Sequence, residues 1–225
     1  RKAKFLAIKA HRYAAARQFN RARRAVKKLR TLLGRVVRDI ERKVTEQQKP
    51  YFTELLQQAR QLLNSAEGLA PKLYSLHEPH VEAIAKGKAH KRFEFGVKVS
   101  VVVTRKLGFV LGCMAIHGNP FDGHTLKDAL EDVERRLGAR LHANVGVDLG
   151  YRGHGIKNSR HRVFHPRLKR LSEKQRAFVR ARSRVESSIS LLKRCFRLGR
   201  NYLKGILGDR MNALFAGAAS NLAIF

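Results

Sequence analysis

The chain has 225 residues, with 48 Lys and Arg against 17 Asp and Glu and a formal charge of +31. A charge of that size calls for a polyanionic partner, while 44% hydrophobic residues suffice to bury a core, which excludes a disordered basic tail. No apolar run approaches the roughly 20 residues that span a bilayer, so no membrane partner is expected. Cys113 and Cys195 form no CxxC pair, which excludes a disulfide framework or a cysteine zinc site and predicts two buried free thiols.

The excess charge is segregated. Residues 1–49 carry 17 basic and 3 acidic side chains, and residues 156–210 carry the same 17 and 3. Two phosphate-binding surfaces are expected, with binding that weakens steeply in salt, although charge alone does not separate DNA from RNA.

In chain order, Val26, Leu29, Leu33, Val36, Val37, Ile40 and Val44 share one helical face, so residues 22–44 read as a basic amphipathic helix. Pro50 breaks it, and Phe52, Leu55, Leu56, Ala59, Leu62 and Leu63 mark a second helix that Gly68 and Pro71 end, giving a helical hairpin. Phe93, Phe95, Val97, Val99 and Val101 alternate with polar residues as in a strand, a turn follows at Lys106–Gly108, and Phe109–Ile116 reads as a second strand. Thr125 and Asp128 resemble a capping box opening a helix to Leu137, closed by Gly138. Leu141–Val147 predicts a third strand ending at Asp148. Beyond Gly155 a basic loop leads to the Ser172/Gln175 capping box, which opens one long helix to about Leu198, and a buried helix spans Met211–Phe225. The order strand, strand, helix, strand predicts an α/β fold with a mixed sheet, and the domains expected are 1–72 and 73–225.

Three acids stand out. Asp148 lies at the carboxyl end of a buried strand, where α/β proteins put functional loops, and Tyr151, Arg152, Gly153 and His154 crowd it with donors; the plainer alternative is a turn aspartate. Glu186 lies about 90° from the apolar stripe of its helix, and a lone carboxylate among phosphate-binding cations would repel the ligand unless a cation sat between. Its alternative is a surface ion pair with Arg182. Asp122 borders the same sheet edge and is read equally as a helix-entry aspartate. Gly87-Lys88 lacks the flanking residues of a P-loop, and His161 and His165 have no third ligand nearby and read as basic-loop residues. Tyr202 is a possible stacking platform for an unpaired base.

The runs Gly118–Leu126 (GNPFDGHTL), Asp148–His154 (DLGYRGH), Arg182 to Glu186 to Lys193, and Arg197–Gly205 (RLGRNYLKG) with Gly208-Asp209 resemble bacterial insertion-sequence transposases of the DDE type. Tyr74–His77 and Lys86–Lys88 look like the same family. The resemblance covers nearly the whole chain. It implies a ribonuclease-H-like fold, preceded here by the basic helical hairpin, in which two aspartates and a glutamate bind two Mg2+ or Mn2+ ions. Asp148 matches the second aspartate and Glu186 the glutamate, both as metal ligands, while the first aspartate and its strand are expected to be absent from this chain. Asp122 is the substitute candidate. Arg182, Lys193, Arg197, Arg200, Lys204, Arg152 and His154 are expected to contact DNA. The family's Tyr three residues before Arg182 is Val179 here, and its His four residues after Glu186 is Ser190. The resemblance further implies double-stranded DNA at element ends and target, a homodimer on DNA, a bacterial cytoplasmic, nucleoid-associated setting, and little strand transfer by this polypeptide. The alternatives are an inactive DNA-binding remnant and an RNA-binding structural protein.

Overall fold

A computed structural model describes residues 1–65, 72–86, 93–157 and 160–224; the expected helix stop at Gly68 and Pro71, the Gly87-Lys88 pair and Phe225 lie outside these. The chain divides into two compact units, residues 1–79 and 80–225.

The first unit contains three helices: α1 (Lys2–Ala15), α2 (Phe19–Lys43) and α3 (Lys49–Ser65). The helix α1 falls where no periodicity was read, because short apolar side chains make its contact. Ala10 is buried on α1, and Ala22, Ala25, Gly34 and Val37 are buried on α2. Val26 and Val36, expected on the packed face, are exposed instead. Pro50 sits in the first turn of α3, where its missing N–H costs no hydrogen bond. Arg60 grips Glu41 at 2.7 Å and Arg30 donates to the Leu63 carbonyl at 3.2 Å, tying α3 back along α2. A groove of about 610 Å³ runs along α2, lined by Phe19, Ala22, Arg23, Val26, Lys27 and Arg30.

The second unit is mixed α/β. Strand β1 (Glu82–Ala85) pairs antiparallel with β2 (Phe93–Gly96), β3 (Lys98–Val103) antiparallel with β4 (Val110–Ile116), and β5 (Ala143–Gly146) parallel with β6 (His161–Phe164). The expected single mixed sheet is therefore three two-stranded sheets among the described residues. The run read as one strand from Phe93 breaks at Gly96, whose φ of 149° suits glycine, so its two halves serve different partners. Strand β6 lies in the expected basic loop. His161 is buried there, 3.4 Å from Glu134, because β6 pairs along β5.

Helix α4 (Asp122–Leu137) begins three residues before the expected cap: Thr125 is buried in its first turn and donates to the Asp122 carbonyl at 2.7 Å. Leu126 and Leu130 pack on Val145, Val147 and Val163 in one core. In the other, Val110, Cys113 and Ala115 of β4 meet Leu192, Ala213 and Ala216. Burial pushes the Cys113 thiol up to about 11, whereas Cys195 is exposed, against expectation.

The long helix expected from Ser172 is two. Its Ser172/Gln175 capping box opens α5 (Glu173–Arg180), and α6 (Ser183–Cys195) follows after a turn. Phe178 meets Phe164 edge to face at 5.7 Å, while Leu192 enters the β4 core, so one straight stripe is split between two sheets. The last helix, α7 (Gly205–Leu222), starts earlier than expected and buries only its small-residue face; Leu207 and Phe215 are exposed. Asn221 brackets Val110, accepting from its N–H at 2.7 Å and donating to its carbonyl at 2.9 Å.

At Gly112 of β4 the side chains of α4 come close to the backbone. A Cβ there would lie 2.8 Å from Val133 Cγ2, and Val133 is fully buried. Gly112→Ala is expected to lower the stability of the second unit by about 1–3 kcal/mol, read from urea unfolding monitored by circular dichroism.

Candidate functional site

Strand β5, only half-buried rather than buried as expected, delivers Asp148 to the chain surface at its carboxyl end. There Asp148 caps the short 3₁₀ turn Leu149–Tyr151, its Oδ1 accepting the Leu149 N–H at 2.7 Å. Its other oxygen, Oδ2, lies 3.7 Å from Nη1 of Arg182. Arg182 stands in the turn between α5 and α6, which aims its side chain back toward β5. The same Nη1 lies 3.5 Å from Oε1 of Glu186, in the first turn of α6. The two carboxylate oxygens are therefore no farther apart than those two distances laid end to end. Both acids are open to solvent, at 62% and 68% exposure, so a cation of ligand size reaches them without displacing core residues.

Asp122 lies alongside but is otherwise engaged. Its Oδ1 is 2.9 Å from Nζ of Lys98, which also donates to the Pro120 carbonyl at 2.7 Å. A Cβ on Gly150 would sit 2.7 Å from Asp122 Oδ2, so Asp122 borders the Asp148 loop. Among the described residues, no group of three or more His, Cys, Asp or Glu side chains is arranged to hold a metal ion. Tyr151 links the neighbourhood: its hydroxyl bonds with Ser100 and Thr125, and burial, reinforced by Asp122, pushes its pKa up.

The other expected contacts scatter around this centre. His154 accepts the Ile156 N–H on Nδ1 at 3.1 Å, and Arg152 projects outward. Burial, then the charges of Arg152 and His154, hold His165 below the usual histidine range. Lys193 lies 3.7 Å from Glu94 Oε2, which also receives Lys86 at 3.0 Å. Arg197 and Arg200 gather at Tyr202, and Lys204 precedes α7. Val179, at the position where the resemblance implies Tyr, is buried.

Three participants escaped sequence reasoning: Lys98 on Asp122, Glu94 on Lys193, and the contact of His117 Nε2 with Asp209 Oδ2 at 3.1 Å. Each joins distant segments, and a single sequence carries no local signal for such pairs.

Comparison with known proteins adds one finding. The family model described as the transposase DDE domain matches residues 71–222, more than half of the chain. No curated protein gave a significant match, and no solved structure did. No helix among the described residues is long and apolar enough to cross a membrane.

Proposed function

The chain belongs to the family of transposase DDE domains, and from that premise we propose that it is the catalytic core of a DNA transposase. The reaction is metal-dependent phosphodiester cleavage and strand transfer at the ends of an insertion sequence. The observation that carries this reading is the approach of Asp148 and Glu186 to one guanidinium nitrogen. Two carboxylates converging on a single positive group have the electrostatics of a cation site. Their hard oxygen donors suit Mg2+ or Mn2+, which are held through one or two carboxylates together with phosphate oxygens. When bound, such ions stabilise the attacking and leaving oxygens of an in-line displacement at phosphorus.

The chain's own residues divide the remaining work. Asp148 and Glu186 would hold the metal; Arg182, between the two carboxylates, offsets their mutual repulsion and is placed to contact a DNA phosphate. Arg152, His154, Lys193, Arg197, Arg200 and Lys204 supply further contacts to double-stranded DNA, on which two protomers pair. Asp122, neutralised by Lys98, is the weaker choice for a third acid. The ribonuclease-H-like arrangement belongs to the same proposal. Strands β3 and β5 each keep an edge that no described strand covers. Helix α4 packs on both pairs.

Titration with Mn2+, followed by electron paramagnetic resonance, tests the site without requiring turnover. Asp148→Asn and Glu186→Gln are each expected to weaken binding at least about tenfold, since each removes one of two protein ligands. Arg182→Ala is expected to tighten it about two- to threefold, the size of an exposed ion pair. Unchanged affinity in both acid variants would refute the site. A second reading, a DNA-binding protein without catalysis, is favoured by the engagement of Asp122 by Lys98, which leaves two acids where three would be needed. It predicts DNA binding with no Mn2+-dependent nicking of plasmid.

A further inference from the structure

Between α6 and α7, two of the arginines assigned to DNA gather on a tyrosine to which the chemistry above gives no part. Tyr202 is 61% exposed, and the guanidinium carbons of Arg197 and Arg200 lie 5.1 and 5.3 Å from the centre of its ring. Two like charges beside one ring repel each other unless an anion joins them. Among the described residues neither arginine makes an ion pair with an acid.

The loop that presents them is braced. Asn201 Nδ2 donates to Asp209 Oδ1 at 2.9 Å, and Asp209 Oδ2 meets His117 just beyond β4. The Asn201 side-chain oxygen also accepts the Leu203 N–H at 2.9 Å. At the end of α6, Arg197 adopts a left-handed backbone with φ of 58°, and its carbonyl accepts from Asn212 at 3.5 Å. Glycine usually supplies that conformation after a helix, so the arginine here takes a backbone that an L side chain adopts at some cost.

An exposed ring on a hydrogen-bonded loop, beside two guanidiniums that pair with no acid among the described residues, has the parts of a nucleotide site. Any base presents a face to an aromatic ring, guanidinium planes stack as well, and their forked N–H groups match phosphate oxygens. We infer that Tyr202, Arg197 and Arg200 hold one unpaired nucleotide where a single DNA strand leaves a duplex, the ring covering the base and the arginines its flanking phosphates. The inference rests on the DNA-transposition reading and adds the feature of the DNA that is gripped.

The test uses the full chain and a duplex in three forms: blunt, blunt with a 5′-phosphate, and with a four-nucleotide single-stranded tail carrying 2-aminopurine. Wild type is expected to prefer the tailed form and to quench its fluorescence. Tyr202→Ala should weaken tailed binding by about tenfold and abolish the quench, while leaving blunt binding unchanged. Tyr202→Trp should keep both, and unchanged thermal melting would show that the fold is intact. Equal binding of blunt and tailed duplexes by wild type, an equal gain from the 5′-phosphate alone, or a preference that survives Tyr202→Ala would overturn the inference while leaving the broader reading standing. Failure to bind any of the three would overturn both.

Discussion

Raising salt from 50 to 200 mM is expected to cost this protein about a thousandfold or more in DNA affinity, the effect of releasing counterions from six or more neutralised phosphates. The expectation follows from where the charge lies. Arg23, Arg24, Lys27, Lys28 and Arg35 are exposed on α2, while the other excess falls in residues 156–210. Fluorescence anisotropy across a salt series measures the number of contacts directly, because the slope of log K against log salt is about −0.9 per phosphate. Arg23→Gln with Lys27→Gln should flatten that slope by about 1.8 if α2 lies on DNA. Arg197→Gln with Arg200→Gln should flatten it comparably from the other block. A wild-type slope shallower than about −2 would show that the charge serves something other than a phosphate backbone.

Leu192→Ala is expected to destabilise the second unit by about 2–5 kcal/mol, a large part of the 5–15 kcal/mol typical of a folded domain. Leu192 is fully buried in the core shared by β4, α6 and α7. Its neighbour Leu191 is 38% exposed, and Leu191→Ala should cost less than about 1 kcal/mol. Urea unfolding of the two variants gives the contrast. The loss also has a functional reading: Glu186 and Lys193 ride on α6, so Mn2+ affinity should fall in Leu192→Ala under conditions where the unit is still folded. Equal midpoints for the two variants would mean that α6 is not seated by Leu192.

Several features of the molecule were legible residue by residue. The apolar run of β4, the heptad-like spacing of Leu126, Leu130, Val133 and Leu137 on α4, and the Ser172/Gln175 box are local signals, and each produced its element. Their chemistry is short range: side-chain alternation, helical periodicity and one reciprocal cap. Asp148 and Glu186 were also picked out locally, one by its place after a strand, the other by its isolation among cations. The strand β6 was missed because His161-Arg162-Val163-Phe164 is basic and reads as strand only once β5 offers a partner. The break between α5 and α6 was missed for a related reason. The stripe from Phe178 to Phe196 is continuous in sequence, yet it has two destinations in space.

Sequence alone therefore determined the charge, its segregation, the α/β character and the identity of the candidate acids, since these depend on composition and nearest neighbours. Only the tertiary structure decided which charges meet. It brings Asp148 and Glu186 to one nitrogen of Arg182, gives Asp122 to Lys98 and Glu94 to Lys193, and gathers two arginines on Tyr202. Ion pairs act over a few ångströms, and which side chains come within that reach is set by how α4, α6 and the strands pack, which no local pattern records.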